Sequence, residues 1–447
     1  MPSTQWPTIT KVETFIPSDG QDGGDYHRKK EGHWILDGGQ PHSTIPGMKC
    51  GISTPMSGWQ AYRENRTSWG IGVLGSIVCI VTASDGTQGV STGFGGPPAC
   101  WLIEEHFSRF VVGSDPRDTN RMWDQMFKAL AGRKGLPIAA ISVIDLAIWD
   151  LLGKIRGEPV YKMIGGRAKD SKIPFYLTGP EPTHARKLGF WGSKVPLPYS
   201  PNDGFDSVRR NLDFLKAHRK ALGDGFPLMV DCYMSLNVQY AIQLAQGAID
   251  EGIDITWWEE VLHPDDFDGH KLLKQRLPQV KWTTGEHEYS RYGFRQLIEG
   301  RSIDILQPDV MWMGGMTELL KVSAQAAAYD IPVVPHGSGP YSYHFILSQP
   351  HSPFCEYIAN SPDGKSIAPV FGNLFLNEPV PHGGSIDVSD EPGFGLVLNP
   401  QAKLLPAVKF LAPNPENGLS MTQEERLMRN KVLEQARANG ANGVNGH

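Results

Sequence analysis

The chain has 447 residues, of which 40% are hydrophobic and 20% charged. This length fits two domains, or one large α/β domain that carries a smaller one. The net charge of −6 argues against nucleic acid or an anionic membrane as a partner, since both attract basic surfaces.

The N-terminal part combines strand and helix patterns. Residues 7–17 alternate as a strand does, and two strand-like runs flank the turn Ser84-Asp85-Gly86, which predicts a hairpin. Helical spacing then continues to Gly157, where a glycine and a nearby proline indicate the end of a helix. Strands followed by helices predict an α+β domain over residues 1–165.

Eight short apolar runs follow Gly166, and each precedes a stretch long enough for a helix. They are Ile173–Leu177, Phe190–Val195, Pro227–Val230, Ile255–Trp258, Val280–Thr284, Ile303–Leu306, Ile331–Val334 and Pro353–Phe354. Repeated βα units form either a (β/α)8-type barrel or a doubly wound open sheet. An open sheet usually has a glycine-rich phosphate loop after its first strand, and the one candidate, Gly93 to Gly96, lies in the earlier unit. We therefore expect a barrel over residues 166–384.

The C-terminal part is expected to return to the first unit. Residues 385–420 have strand and turn character and would complete the N-terminal domain. Thr422 and Glu425 have the spacing of a capping box, which predicts a charged helix within the tail 421–447. The Asn-Gly-rich end of this tail is expected to be disordered.

Nothing in the sequence predicts export or a membrane span. Residues 1–17 lack the features of a signal peptide, and the longest apolar stretch noted, Ser76–Ala83, is too short to cross a bilayer. The five cysteines have no CxxC spacing and are interpreted as reduced thiols. We expect a cytoplasmic protein with no nucleic acid or membrane partner.

A polar residue ends or follows seven of the eight apolar runs. These residues are Lys194, Asp231, Glu259, Glu286, Asp309, His336 and Glu356. From Asp231 onward they are separated by 28, 27, 23, 27 and 20 residues, about one βα unit each. In a barrel this spacing brings them to the C-terminal rim, where barrel enzymes have their active sites. A single acidic residue at a strand end commonly caps the next helix, but six polar residues in phase are hard to explain in that way.

Three of these carboxylates are predicted to hold a metal ion. Asp231, Glu259 and Glu286 end successive strands and offer hard oxygen ligands, which suit Mg²⁺ better than Zn²⁺. His287 stands next to Glu286. Because neighbouring residues of a strand face opposite ways, His287 reaches the site only if the strand geometry breaks at the rim, and both outcomes stay open.

Asp309 and His336 are interpreted as a base and its partner. A carboxylate bonded to one imidazole nitrogen fixes the tautomer and makes the other nitrogen more basic. A buried structural pair is the alternative, but this pair is predicted at the same rim as the metal ligands. A metal-bound carboxylate substrate and a nearby base together allow removal of the proton next to that carboxylate.

Several motifs resemble the mandelate racemase subgroup of the enolase superfamily. They are Trp257-Trp258-Glu259-Glu260, Thr284-Gly285-Glu286-His287, Gln307-Pro308-Asp309, Val334-Pro335-His336-Gly337 and the helix segment Ile144-Asp145-Leu146-Ala147-Ile148-Trp149-Asp150. The resemblance implies an α/β fold, a modified (β/α)7β TIM-type barrel with an α+β capping domain and Mg²⁺ at the barrel rim.

Further segments are similar to the L-rhamnonate dehydratases of this subgroup. They include Gly24-Asp25-Tyr26-His27, His33-Trp34-Ile35, Ser53-Thr54-Pro55-Met56-Ser57 and Asp231-Cys232-Tyr233-Met234-Ser235. The resemblance implies ligand roles for Asp231, Glu259 and Glu286, a base role for His336 supported by Asp309, and substrate or transition-state contact for Glu356. It also implies that His27 and Arg66, from capping loops, hold the polyol chain or the carboxylate of the substrate. Lys194 and His287, at the same rim, are further candidates for substrate contact. The stretch Gly38 to Ile52 is longer than expected for bacterial members of this group, so the shape of the lid is not predicted.

One departure from the subgroup favours a particular reaction. Racemases carry Lys-x-Lys on the second strand and use the second lysine as a base, whereas this chain has Lys194-Val195-Pro196. One base is sufficient for syn loss of water from a sugar acid, so we expect Mg²⁺-dependent dehydration of L-rhamnonate to 2-keto-3-deoxy-L-rhamnonate. The alternatives are a dehydratase or epimerase for another aldonic acid and a barrel that only binds sugar acids. Because such barrels often associate, a homo-oligomer is expected.

Overall fold

The computed structural model describes residues 6–17, 52–59, 76–166, 172–179, 182–359, 361 and 366–407. The predicted site residues His27 and Arg66 and the predicted tail helix lie outside these residues. The described part of the chain forms an antiparallel sheet with helices and a larger, curled sheet of parallel strands.

The smaller sheet has four strands in the order β12-β1-β2-β3. They are β1 (Ile9–Pro17), β2 (Ser76–Ala83), β3 (Gln88–Phe94) and β12 (Leu404–Pro406). Strands β2 and β3 form the hairpin predicted around Ser84-Asp85-Gly86, with Val81 opposite Gly89. Strand β12 joins the edge of β1, so a segment from the C-terminal part of the chain completes the sheet.

Helices cover one face of this sheet. They are α1 (Gly96–Trp101), which continues through a π-helical turn (Leu102–Phe107) into α2 (Ser108–Val111), then α3 (Thr119–Lys128), α4 (Leu136–Arg156) and α5 (Val160–Met163). Helix α4 ends as predicted at Gly157, which has a φ of 67° and follows two basic residues in the last turn. Helix α4 lies so close to β3 that a Cβ on Gly89 would be 2.1 Å from the carbonyl oxygen of Ala147.

Helix α4 corrects one expectation. By length and composition it could cross a membrane, and it is longer than Ser76–Ala83, the stretch noted from the sequence. Asp145, Asp150 and Lys154 interrupt its apolar residues, so the sequence contains no continuous apolar stretch of this length. However, 83% of its most apolar window is buried inside the protein, as in a core helix that packs on both sides.

The larger sheet is a TIM-type barrel wall. Its parallel strands follow the order β10-β4-β5-β6-β7-β8-β9, and a short strand, β11 (Ser385–Ile386), pairs antiparallel with β4. The strands are β4 (Ile173–Thr178), β5 (Gly192–Pro196), β6 (Leu228–Asp231), β7 (Trp258–Glu259), β8 (Trp282–Thr284), β9 (Ile305–Leu306) and β10 (Cys355–Ile358). The predicted seventh run pairs with β9 through a single bridge, Leu306 to Val333. The α/β fold with its capping domain is thereby confirmed.

Helices alternate with the barrel strands. They are α6 (Pro182–Lys187), α7 (Ser207–Leu222), α8 (Val238–Asp250), α9 (Phe267–Arg276), α10 (Ser290–Glu299), α11 (Gly315–Ala327) and α12 (Pro340–Ser348). Apolar side chains in or next to the barrel strands form one interior cluster: Tyr176, Met229, Trp257, Ile305 and Val334. The polar strand-end residues lie beyond this layer, toward the capping domain.

Candidate active site

The register of the parallel strands brings the predicted carboxylates together. Asp231 pairs with Glu259 across β6 and β7, and both side chains are buried. Glu286 follows β8 after Gly285, whose φ of 142° strongly favours glycine. A Cβ at Gly285 would also lie 3.1 Å from the backbone of Gln307. The turn after β8 therefore depends on a glycine to place Glu286 at the rim.

Glu259 is bound tightly by the barrel interior. Its Oε1 forms an ion pair with Lys194, and its Oε2 accepts hydrogen bonds from Trp257 Nε1 at 3.0 Å and Gln307 Nε2 at 2.7 Å. The Lys194 ammonium also lies 2.8 Å from Glu356 Oε1 and 3.9 Å from Asp231 Oδ2. Lys194 thus lies among three buried carboxylates, those of Asp231, Glu259 and Glu356.

Burial lowers the pKa of Lys194, but the surrounding carboxylates, Glu259 first, outweigh it and raise that pKa well above its usual value. Lys194 therefore stays charged. Burial likewise raises the pKa of Glu356, but Lys194 and His336 reverse this effect and lower it to about 2. Glu356 is ionised, with Oε2 accepting a hydrogen bond from Gly337 N at 2.9 Å and Oε1 accepting one from Thr178.

Glu260 is a rim residue that the sequence analysis missed. Strict alternation along β7 would turn it away from Glu259, but Glu260 has a φ of 46°, which ends the alternation. Suitable ligand atoms of Glu260, Glu286 and His287 all lie within 4.8 Å of one another. The position of Glu260 directly after the last residue of β7 could have indicated this, because side chains no longer alternate between the two faces beyond the end of a strand.

His287 lies in the same cluster, so the open question about its orientation is answered. Its Nδ1 is 2.9 Å from Glu260 Oε1 and 3.6 Å from Glu286 Oε1. Burial lowers the pKa of His287. A neutral imidazole at the rim can donate a hydrogen bond or accept one, and its predicted contact with substrate remains a prediction.

His336 and Asp309 form the predicted pair. His336 Nδ1 lies 2.7 Å from Asp309 Oδ2, while Asp309 Oδ1 accepts hydrogen bonds from Ser338 Oγ at 2.7 Å and from Met311 N at 2.8 Å. The other imidazole nitrogen, Nε2, faces Glu286 Oε2 at 3.6 Å. Burial opposes protonation of His336, but Glu286 and Asp309 outweigh it and raise its pKa well above the usual value.

The other rim carboxylates have too few cationic side chains nearby to balance their negative charges. Burial raises the pKa of Asp231 to about 6 and raises the pKa of Glu260 and Glu286 well above the usual range, and like charges nearby add to each rise. A set of buried carboxylates that repel one another fits a cation, and hard oxygen donors fit a hard divalent ion. The donor set is therefore compatible with Mg²⁺ at this rim.

The segment 52–59 of the capping domain contacts the same rim. Ser53 N donates a hydrogen bond to the Leu197 carbonyl oxygen at 2.9 Å, just beyond β5, and Ile52 packs on Tyr233, beyond β6. Ser53 belongs to one of the motifs that suggested the family. The capping domain thus contacts the strand ends that carry Lys194 and Asp231.

Comparisons with known proteins agree with this geometry. The model of the mandelate racemase / muconate lactonizing enzyme N-terminal domain matches residues 70–165, and the enolase C-terminal domain-like model matches residues 183–402. A crystal structure of rhamnonate dehydratase from Gibberella zeae complexed with Mg is 57% identical, with a TM-score of 0.86, and the match covers 93% of this chain and 100% of that one. A second structure, of L-rhamnonate dehydratase from the same organism, is 56% identical, with a TM-score of 0.83 and the same coverage.

A more distant structure has a different activity. The 3,6-anhydro-D-galactonate cycloisomerase from Zobellia galactanivorans is 26% identical, with a TM-score of 0.65, and the match covers 88% of this chain and 97% of that one. The two domain models together match most of the described residues, in the expected order. The chain therefore belongs to the enolase superfamily, in the family of mandelate racemase and muconate lactonizing enzyme.

Proposed function

We propose that the protein is a Mg²⁺-dependent hydro-lyase that converts L-rhamnonate to 2-keto-3-deoxy-L-rhamnonate and water. The observation that carries this proposal is the His336–Asp309 pair, whose free nitrogen faces the rim carboxylates at 3.6 Å from Glu286. The 57% identity to a rhamnonate dehydratase complexed with Mg supports both the substrate and the metal.

Asp231, Glu259 and Glu286 would hold the ion, and a ligand atom of Glu260 lies within 4.8 Å of those of Glu286 and His287. When bound, Mg²⁺ offsets the negative charge that develops on the substrate carboxylate as the C2 proton leaves. Lys194 and Glu356 lie beside these residues, where Lys194 can contact the substrate carboxylate and Glu356 a neighbouring hydroxyl. His27 and Arg66, which lie outside the described residues, are proposed to hold the polyol chain or the carboxylate.

His336 would act as the single acid–base residue. Asp309 accepts a hydrogen bond from Nδ1–H, which fixes the tautomer and leaves the Nε2 lone pair free to take the C2 proton. The imidazolium then returns that proton to the C3 hydroxyl, the C3–O bond breaks, and water leaves from the same face. The enol that remains tautomerises to the 2-keto acid.

Strand β5 supports elimination over racemisation. Pro196 ends β5 two residues after Lys194, at the position of the second lysine in the Lys-x-Lys motif of the subgroup's racemases, and proline cannot transfer a proton. An epimerase for another aldonic acid is the remaining alternative, and incubation in D₂O distinguishes the two. An epimerase returns substrate that is deuterated and inverted at C2, whereas the dehydratase yields keto acid without inverted substrate.

We also propose a cytoplasmic homo-oligomer whose partner is the small sugar acid alone. The domain limits we propose are 1–165 with about 385–420 for the capping domain and 166–384 for the barrel. The acidic net charge supports the absence of a nucleic acid or anionic membrane partner.

The direct test replaces His336 with Asn, which removes the base but keeps a polar side chain of similar reach. We expect His336→Asn to abolish formation of 2-keto-3-deoxy product, measured with semicarbazide, while Mg²⁺ still binds in isothermal titration calorimetry. Substantial dehydration by the folded variant would sink the single-base mechanism.

A further inference from the structure

Trp312 lies between the two histidines of the site. Its ring centroid is 5.3 Å from that of His287 and 5.4 Å from that of His336, and both imidazoles are tilted against it. The indole also contacts Phe94 of strand β3 edge-on, at 5.6 Å. Trp312 therefore joins the base, the second histidine and the capping sheet at one point.

The indole N–H of Trp312 is buried, and no residue in the described ranges accepts a hydrogen bond from it. Two other buried indoles nearby do have acceptors: Trp257 donates to Glu259 at 3.0 Å, and Trp123 donates to the Gly314 carbonyl oxygen at 2.7 Å. Native proteins rarely leave a buried donor unsatisfied. A leftover donor between two site histidines is suited to an acceptor that comes from outside the chain.

The chain around Trp312 is fixed, so this indole cannot turn easily to another partner. Gly314, two residues on, accepts the Trp123 hydrogen bond and donates to Ser142 Oγ at 2.8 Å. Trp123 and Ser142 belong to helices α3 and α4 of the capping domain. Both domains therefore hold the segment that carries Trp312.

We propose, as an extension of the dehydratase function above, that Trp312 positions the substrate by donating its Nε1–H to an oxygen of the sugar acid. A sugar acid offers a hydroxyl or carboxylate oxygen on nearly every carbon, so an acceptor is available along the chain. The same ring packs on His336 and limits how far the imidazole can rotate. An apolar ligand would leave the donor unsatisfied and is disfavoured for that reason.

Binding can be measured apart from turnover in the inactive background. Isothermal titration calorimetry with Mg²⁺ would compare L-rhamnonate binding to His336→Asn and to His336→Asn/Trp312→Phe. Phenylalanine keeps an aromatic ring but has no N–H. We expect Kd to rise about tenfold, the loss of about 1.4 kcal/mol. Equal Kd values would overturn the role of Trp312, whereas no binding to either folded protein would overturn the proposed substrate itself.

Kinetics of the single variant separate the hydrogen bond from a merely structural role. In Trp312→Phe we expect KM to rise about tenfold with a smaller change in kcat, because a uniform binding contact is lost. Trp282→Phe is the matched control, since the Trp282 indole donates to the Leu277 carbonyl oxygen and packs in the barrel wall. The control should lower Tm and leave KM unchanged. A fall in kcat at unchanged KM in Trp312→Phe would contradict the proposed contact. If Trp312→Phe does not fold, the variant Trp312→Leu is used in both experiments.

Discussion

Asp309 is held in one orientation by hydrogen bonds to both carboxylate oxygens. Ser338 and Met311 bind Oδ1, which leaves Oδ2 for His336. The negative charge of Asp309 raises the basicity of His336, and the geometry selects the tautomer. Both effects depend on the same carboxylate, so a substitution that keeps its shape tests them together.

Asp309→Asn keeps the shape of the side chain but removes both effects. Met311 N and Ser338 Oγ would hold the amide oxygen in the place of Oδ1, so the amide NH₂ would face His336 Nδ1, and no charge would remain to stabilise the imidazolium. We expect kcat for dehydration to fall about 10²–10⁴-fold with little change in Tm. Semicarbazide detection of the keto acid and thermal unfolding measure the two quantities.

Ser338→Ala is the companion variant, because it removes only the hydrogen bond to Asp309 Oδ1. A loss of about tenfold or less is expected, as for one hydrogen bond. Equal losses in the two variants would show that the charge of Asp309 is not what His336 requires.

At the residue scale, the sequence predicted the side chains that obey the spacing of one βα unit. Asp231, Glu259, Asp309 and His336 each end or follow a strand, so the spacing alone brings them to one rim. Glu260 could not be predicted in this way, because its place depends on a positive φ that no pattern of two or 3.6 residues encodes. Trp312 was missed because an aromatic residue in a loop is usually part of the packing.

At the element scale, the turn after β8 determines where Glu286 lies. Gly285→Ala would place a Cβ 3.1 Å from the Gln307 backbone at a φ of 142°, so the turn must shift. We expect a loss of about 1–3 kcal/mol in the free energy of unfolding and weaker Mg²⁺ binding, since Glu286 moves with the turn. Urea unfolding and calorimetric Mg²⁺ titration measure both effects.

Gly252→Ala is the control for backbone strain alone. Gly252 also has a positive φ, 66°, but a Cβ there would meet nothing within 4 Å. Its substitution should cost about 1 kcal/mol and leave Mg²⁺ binding unchanged. If Gly285→Ala behaved in the same way, close contact with Gln307 would not be what fixes the turn.

The barrel strands also show what patterns of sequence can and cannot predict. Runs of buried apolar residues overlap each of β4 to β9, because the strands of a parallel sheet are covered on both faces, although the run Ile255–Trp258 shares only Trp258 with β7. The eighth run was placed at Pro353–Phe354, but strand β10 is Cys355–Ile358. Proline has no N–H for a ladder, and Phe354 packs against the interior cluster just before pairing begins.

At the scale of the whole molecule, helix α4 links the capping domain to the barrel. Asp145 on α4 is buried, and its Oδ2 accepts a hydrogen bond from Thr317 N of α11 at 2.9 Å. Burial raises the pKa of Asp145 to about 7, although hydrogen bonds from Thr317 oppose the rise. In the unfolded chain the same carboxyl has a pKa of about 3.9.

This difference predicts a dependence of stability on pH. Because the folded pKa is the higher one, the unfolded chain loses its proton first as pH rises, so the free energy of unfolding falls between about pH 4 and pH 7. Asp145→Asn removes this contribution and can keep the acceptor for Thr317 N. The fall between pH 5 and pH 8 should therefore be smaller in the variant, by on the order of a few kcal/mol.

Urea unfolding of both proteins at pH 5 and pH 8, at one ionic strength, measures this difference. An identical fall in the two proteins would mean that Asp145 does not carry the proton assigned to it. The comparison uses the change with pH, so a uniform loss of stability in Asp145→Asn does not affect it.

In the proposed mechanism, one base, three or more carboxylates and a divalent cation together dehydrate a particular sugar acid. The measurement that tests it most directly is a screen of the purified protein with Mg²⁺ against a panel of aldonic acids, with semicarbazide to detect 2-keto-3-deoxy products. We predict that L-rhamnonate leads by a wide margin and that EDTA stops the reaction. No keto acid from any substrate, or turnover that EDTA leaves intact, would contradict the account.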